Sequence, residues 1–401
     1  MKGKVKRRVI AWVLSFALVM GTVLGGPGLF MKAHAADAGV LYIIDSIGGT
    51  PESVTEDCTD SAGGWSYDAG TATLTLDGFQ GEYIEANGDI NIVLKGKNKI
   101  TISAESTEGI KSTGKVTIDD TISPVQDCLD IYCNDGTESV SMIYTGGFGA
   151  DYATYIVGGT VNLVEENTRR RYVTGISRWA YVENDASLNI NLSADGGRNG
   201  VAALLNFNTS GDTSFRVNSL SSSSYGVYSL DKKGSGDTAL TAEGKAKNIG
   251  NKFTVGSTGN TGKITIKGYL TDFTPYRKKN RIVGVDNFLW SYFTENPQTG
   301  GLCRCVCDSL GVPLKDFVIE SVDELPLTVM DSKLFDIPET KVGERWNQAV
   351  NWCEGVYGGT GDYEFSLAED SAPLPEGISV SSANGTLEGI PTSGHAGGVA
   401  K

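Results

Sequence analysis

Histidine is all but missing from this chain: there are two in 401 residues, His34 and His395. That scarcity removes the catalytic arrangements that turn on imidazole, a Ser-His-Asp or Cys-His system, and any histidine-rich metal site. Cysteine is sparse and odd in number, seven in all, with spacings that fit no disulfide scaffold. Only one apolar run approaches membrane length, and it lies near the N-terminus. No phosphate-binding loop, dinucleotide fingerprint or EF-hand loop is present. Basic residues are outnumbered, 34 against 48 acidic ones. That balance argues against nucleic acid and anionic lipid as partners, because phosphate recognition needs cationic footprints. Glycine, in contrast, is abundant at 52 residues, and charged residues make up only 20%, as expected of a turn-rich all-β chain.

The N-terminus reads as a secretion signal over residues 1–35. Lys2, Lys4, Lys6, Arg7 and Arg8 precede a largely apolar stretch from Val9 to Leu24, and Ala33-His34-Ala35 fits a small-x-small cleavage pattern. An uncleaved anchor is the other reading; Gly21, Gly25, Gly26 and Pro27 interrupt the run too early for a comfortable span. Cleavage would remove six basic residues and no acidic ones, leaving 28 against 48, a formal charge of −20. The mature chain is therefore expected outside the cell, secreted or attached to the cell surface, with no membrane insertion.

What the chain has is rhythm. Apolar-x-apolar triplets begin at Ile90, Val116, Val140, Val161, Leu188, Phe215, Leu240 and Ile264, at intervals of 26, 24, 21, 27, 27, 25 and 24. A second series of short apolar elements sits at Ile84, Ile110, Ile131, Ile156, Ile176, Val201, Val227 and Ile249. Repetition on this scale marks stacked units that bury their apolar faces only against neighbours. The alternation within each triplet is that of a strand. Two strands per turn predict a right-handed parallel β-helix over residues 36–268, with about eight rungs. Stacked at about 4.8 Å, these make a rod of about 35–40 Å. Gly109, Gly175, Gly200 and Gly226 precede apolar residues and are expected at rung corners. An antiparallel sandwich is the alternative, but its strands recur every 8–12 residues or so without a superperiod.

Beyond Gly268 the rhythm stops, and residues 269–325 form a cap or linker region. From about Leu325 a different all-β pattern begins. Its marks are Val342-Gly343, Gly358-Gly359-Thr360-Gly361, Tyr363-Glu364-Phe365-Ser366-Leu367, Leu374-Pro375-Glu376-Gly377-Ile378 and Gly385-Thr386-Leu387-Glu388-Gly389-Ile390-Pro391-Thr392. This stretch, residues 326–401, resembles the immunoglobulin-like modules of bacterial surface proteins. The resemblance implies a β-sandwich acting as a spacer or adhesion module, with no catalytic residues. In that family a final apolar strand follows the Pro-Thr segment, where this chain stops at Gly397–Lys401, so a truncated module and further domains downstream are expected. Residues Gly63 to Gly81, "GGWSYDAGTATLTLDGFQG", lead into "GDINIVLKGKNKITI" and "GIKSTGKVTI". Together they resemble the β-helical domains, classed as carbohydrate-binding, of large extracellular proteins from Gram-positive, often gut-dwelling, bacteria. That resemblance implies a glycan ligand and brings no binding residues.

Three functional readings follow. In the first, the protein is a non-enzymatic platform for glycan binding or adhesion, using exposed aromatics that stack on sugar faces. Trp179 and Tyr181, with Arg178 beside them, and Tyr225 and Tyr228 are the candidate contacts. The bland reading of the same residues is core or ladder stacking, and Trp65 and Tyr67 read as an end cap. In the second, the rod is a polysaccharide lyase or glycoside hydrolase, which would need paired carboxyl groups or a base with cations. Asp119, Asp120, Asp127 and Asp130 form one loop cluster; Glu165, Glu166, Arg169, Arg170 and Arg171 form another. Both are expected on one side of the rod, although a solvated loop explains either. In the third, the protein is a structural stalk. Cys303, Cys305 and Cys307 alternate and would share one strand face, but zinc lacks the usual CxxC spacing and a nearby histidine. No cofactor or metal is expected.

Overall fold

The computed structural model describes residues 40–393 apart from 121–126, 166–172, 193–206, 220–224, 255–261, 272–278, 330–340, 346–355 and scattered single or paired positions. Residues 1–35, read from the sequence as a secretion signal, and Val201, Glu166, Arg169, Arg170, Arg171 and Cys353 lie outside the described residues. The chain is all-β, and its largest sheets are built mainly from parallel strands. Between Tyr83 and Leu192 successive strands visit three sheets in strict rotation. Tyr83–Ala86, Glu108–Ser112, Val140–Thr145 and Val173–Ile176 pair in parallel in the first sheet. Ile90–Lys95, Val116–Asp120, Thr154–Ile156 and Ala180–Val182 do so in the second. Lys97–Ile102, Cys128–Cys133, Thr160–Glu165 and Ser187–Leu192 do so in the third.

The third sheet shows the true repeat. Lys97, Cys128, Thr160, Ser187, Ser214, Ala239 and Thr265 lie opposite one another, at steps of 31, 32, 27, 27, 25 and 26 residues. Alternation points one set of side chains inward at every level, so Ile100, Ile131, Leu163 and Ile190 stack in one buried column. Each such side chain contributes about 1.5–3 kcal/mol by burial, and only because its neighbours above and below are present.

This corrects the two-strand turn read from the sequence. Three strands make each turn up to Leu192, because corners at Gly96 and Gly159, both at positive φ, break the path into short straight pieces. Among the described residues, two strands per turn are seen only from Phe207 onward, where Phe207–Thr209, Tyr225–Gly234 and Lys247–Thr254 pair in parallel and alternate with strands of the third sheet. There a long strand spans the path that two short ones take earlier, and an irregularity between Val227 and Ser229 supplies the bend.

The triplet series is corrected likewise. Ile90 does pair with Val116, and Val161, Leu188, Phe215 and Leu240 do follow one another. Val140, however, belongs to the first sheet, and Leu240 faces Ile266 rather than Ile264. Every strand alternates, so spacing alone assigns no strand to a face. Gly109 and Gly175 are not corner residues either: they sit inside strands. A Cβ on Gly109 would lie 3.0 Å from Ile131 Cγ2, and one on Gly175 3.1 Å from Leu163 Cδ1. Close packing, not backbone conformation, requires glycine there.

Antiparallel strands close both ends of the stack. Leu41–Ile44 lies antiparallel on Tyr83–Ala86, and Trp65–Asp68 on Thr73–Asp77, which itself pairs with Ile90–Lys95. Leu41, Ile43, Trp65 and Tyr67 are buried there, and Trp65 Nε1 donates to Asp45 Oδ2 at 3.3 Å. At the far end Lys315–Ser321 pairs antiparallel with Ile264–Tyr269 and with Asn280–Ile282. Such caps turn aside the open edges that would otherwise recruit further strands. Beyond them, a hairpin of Phe288–Glu295 and Leu302–Asp308 packs Phe288 edge-on to Trp290 and flat on Tyr357. Two short antiparallel pairs follow: Thr328–Val329 with Val356–Tyr357, and Ile378–Val380 with Leu387–Gly389.

Opposite faces of one strand should therefore respond differently. Leu163→Ala is expected to cost about 2–5 kcal/mol as a cavity in the stacked column. Asn162→Ala, next to it on the outer face, should cost about 1 kcal/mol. Denaturant midpoints at constant m-value check both.

Candidate ligand-binding face

The corner joining the first and second sheets carries the most chemistry on the outer surface. Three backbone bonds stack it level by level: Ile90 N–H donates to Lys115 O, Val116 N–H to Ala153 O and Thr154 N–H to Trp179 O. Lys115, Ala153 and Trp179 are thus equivalent positions on successive turns. Two residues further along, on the second sheet's outer face, Thr117, Tyr155 and Tyr181 lie opposite one another. The Tyr155 and Tyr181 rings stack with centroids 4.4 Å apart and planes 3° from parallel. Lys115 Nζ sits 5.6 Å from the Tyr155 centroid, and the Arg178 guanidinium 5.6 Å from that of Tyr144 on the first sheet. Tyr152, in the 3-10 turn Ala150–Tyr152, is 40% exposed beside Gly147.

The candidates named from sequence divide accordingly. Arg178 and Trp179 are half-buried at this corner. Tyr181 is only 8% exposed and engaged in a cross-strand stack, the bland alternative for that residue. Tyr225 and Tyr228 fall on the strand Tyr225–Gly234, and their side chains lie outside the described residues. Tyr144, Tyr152, Tyr155 and Lys115 were missed. Tyr155 was within reach, since it precedes Tyr181 by 26 residues, one turn of the coil.

Burial raises the Tyr155 phenol, and the neighbouring Tyr181, Glu183 and Asp151 raise it further. It therefore stays a hydrogen-bond donor, reaching Ala150 O at 3.3 Å. Burial raises the Glu183 carboxyl as well. The third sheet carries a different outer column. Asn189 Nδ2 donates to Asn162 Oδ1 at 2.9 Å, and Asn162 Nδ2 donates to Asp130 Oδ1 at 2.6 Å. Lys99 faces Asp130 in the same register and lies 4.5 Å from the Tyr132 ring centroid. Flat rings at one corner and a hydrogen-bonded amide ladder on another face both suit polyhydroxylated ligands.

Of the two carboxylate clusters, the described residues include the first and, from the second, Glu165. Asp119 and Asp120 end the second-sheet strand Val116–Asp120, whereas residues 166–171 follow the third-sheet strand Thr160–Glu165. The expectation of a shared side rests on Glu166, Arg169, Arg170 and Arg171, which lie outside the described residues. Glu165 is an inward residue with 0% exposure, and Asp130 belongs to the amide ladder. Asp127 is buried and its Oδ1 accepts from Gly96 N–H at 2.7 Å. Asp119 and Asp120 remain close: a Cβ on Gly158 would lie 2.6 Å from Asp119 Oδ1 and 2.3 Å from Asp120 Oδ1. Burial raises both carboxyls, and the Asp127 charge raises Asp120 further. Among the described residues no group of three or more His, Cys, Asp or Glu side chains is placed to hold a metal ion, and no helix is long and apolar enough to cross a membrane.

In comparison with known proteins, no family model, curated protein or solved structure matches the chain.

The raised Asp119 carboxyl has a consequence for stability. Its contribution is fully present below the ordinary carboxylate pKa and is lost as pH rises through the raised folded value. Asp119→Asn should therefore raise the melting temperature at pH 7 and leave it unchanged near pH 3. Thermal melts across that range check the sign.

Proposed function

We propose that this chain is a secreted, non-enzymatic bacterial surface protein in which a right-handed parallel β-helix presents a glycan-binding or adhesive face. An immunoglobulin-like spacer module follows it. Continuous parallel pairing through three sheets, at one strand per sheet per turn, supports the helix. The short antiparallel pairs after Leu325 are compatible with the spacer and do not define it. The observation that carries the ligand class is the corner where Trp179 lies one turn on from Ala153, with Tyr155 stacked on Tyr181 and the exposed Tyr152 next to Ala153 in the chain. Sugar rings offer apolar C–H faces to such aromatics and hydroxyls to phenols and amides. A repeating ligand also matches a repeating surface, because many weak contacts add along a rigid rod.

The signal segment and the acidic charge support an extracellular location. A polysaccharide lyase or hydrolase is the second reading, favoured by the raised Asp119 and Asp120 carboxyls, since a general acid needs a raised pKa. A structural stalk is what remains if no glycan binds.

Electrophoresis in glycan-containing gels and a glycan array separate these readings. The protein should be retarded by at least one polysaccharide without altering it, and Trp179→Ala should weaken the retardation severalfold at an unchanged melting temperature. Release of reducing or unsaturated ends, abolished by Asp120→Asn, would replace the platform by an enzyme. A blank array with no release would leave the stalk.

A further inference from the structure

Cys303 and Cys305 lie on the strand Leu302–Asp308, facing Thr294 and Tyr292 in uninterrupted register. They share one face of the hairpin, as their alternation predicts, and their Sγ atoms are 3.4 Å apart. Cys303 is half-buried while Cys305 is 1% exposed. The strand is held on both edges, because Thr271 bridges to Cys305, Leu314 N–H donates to Val306 O and Pro313 bridges to Cys307. The two sulfurs are thus kept adjacent by a backbone with little room to separate them.

We infer that Cys303 and Cys305 form a reversible dithiol–disulfide pair, with Cys303 the sulfur that exchanges with small thiols and disulfides. The Cys303 thiolate attacks a small disulfide RSSR, forming a mixed disulfide and releasing one thiolate RS⁻. The Cys305 thiolate then attacks Cys303 Sγ, closing the protein disulfide and releasing the second RS⁻. The two cysteines lose two electrons and two protons, and RSSR gains them as two RSH.

Two residues of strand place the Cα atoms about 6.6 Å apart, near the upper limit for a disulfide. A bridge at that limit is strained, and closing so small a loop gains little chain entropy. Strained, accessible disulfides are the readily reduced ones. The pair therefore suits exchange better than stapling, and this chemistry is independent of any glycan.

The full chain is equilibrated with oxidised and reduced glutathione, quenched with an alkylating agent, digested and mapped by non-reducing mass spectrometry. With the alkylating quench made in denaturant, the peptide holding Leu302–Asp308 should, under oxidised glutathione, lose two hydrogens and be alkylated only at Cys307. Excess reduced glutathione should restore alkylation at all three cysteines. Cys305→Ser should trap Cys303 as its glutathione adduct, whereas Cys303→Ser should leave the buried Cys305 unmodified in the native protein. A bridge from either residue to Cys307 or Cys353, or alkylation of both at high oxidised glutathione, overturns the inference. Circular dichroism of the two variants establishes that they fold, and mapping of the unaltered chain decides the matter if they do not.

Discussion

Everything in this molecule depends on parallel strands staying in register with the turn before them. A single turn has too little interior to fold alone; its apolar residues are covered only by equivalents one level up and one level down. A one-residue slip in any ladder would turn its inward set to solvent. The third sheet shows how closely the register is kept, with six residue pairs matched between Thr160–Glu165 and each neighbouring strand. Outer side chains reinforce it: the Asp130–Asn162–Asn189 ladder and the Tyr155–Tyr181 stack both join exact register partners.

The same constraint explains the corners. Asp185, Asp212 and Asp237 each accept, through Oδ1, the backbone N–H of Asp212, Asp237 and Lys263 respectively, at 2.7–2.9 Å. Asp89 accepts from Lys115 N–H in the same way. These carboxylates satisfy corner donors that leave the ladder, so part of the acidic composition serves the backbone. The caps complete the arrangement by laying antiparallel strands on the first and second sheets at one end and on the third sheet at the other.

Function, on this scaffold, is a matter of which outward positions are used. The inward columns are committed to packing, and corners and outer faces are free to vary. The aromatic corner gathers Trp179, Tyr152 and Tyr155 from segments more than twenty residues apart in sequence, which the coil brings to adjacent levels. The cysteine pair belongs to the hairpin beyond the stack, with a chemistry of its own.

The sequence by itself determined the all-β class, the stacked repeat and the inward residues of most strands, because alternation and turn composition are local. It also placed Cys303 and Cys305 on one face. Only the tertiary structure decided which strands are vertical neighbours. Three alternating strands of similar composition in each turn look alike, and unequal corner loops change the step from 25 to 32 residues. For that reason spacing alone does not show that Val140 belongs to the first sheet, that Tyr155 stacks on Tyr181 or that Tyr144 lies beside Arg178. Side-chain pattern is written in the chain; register is settled by the packing of one turn on the next.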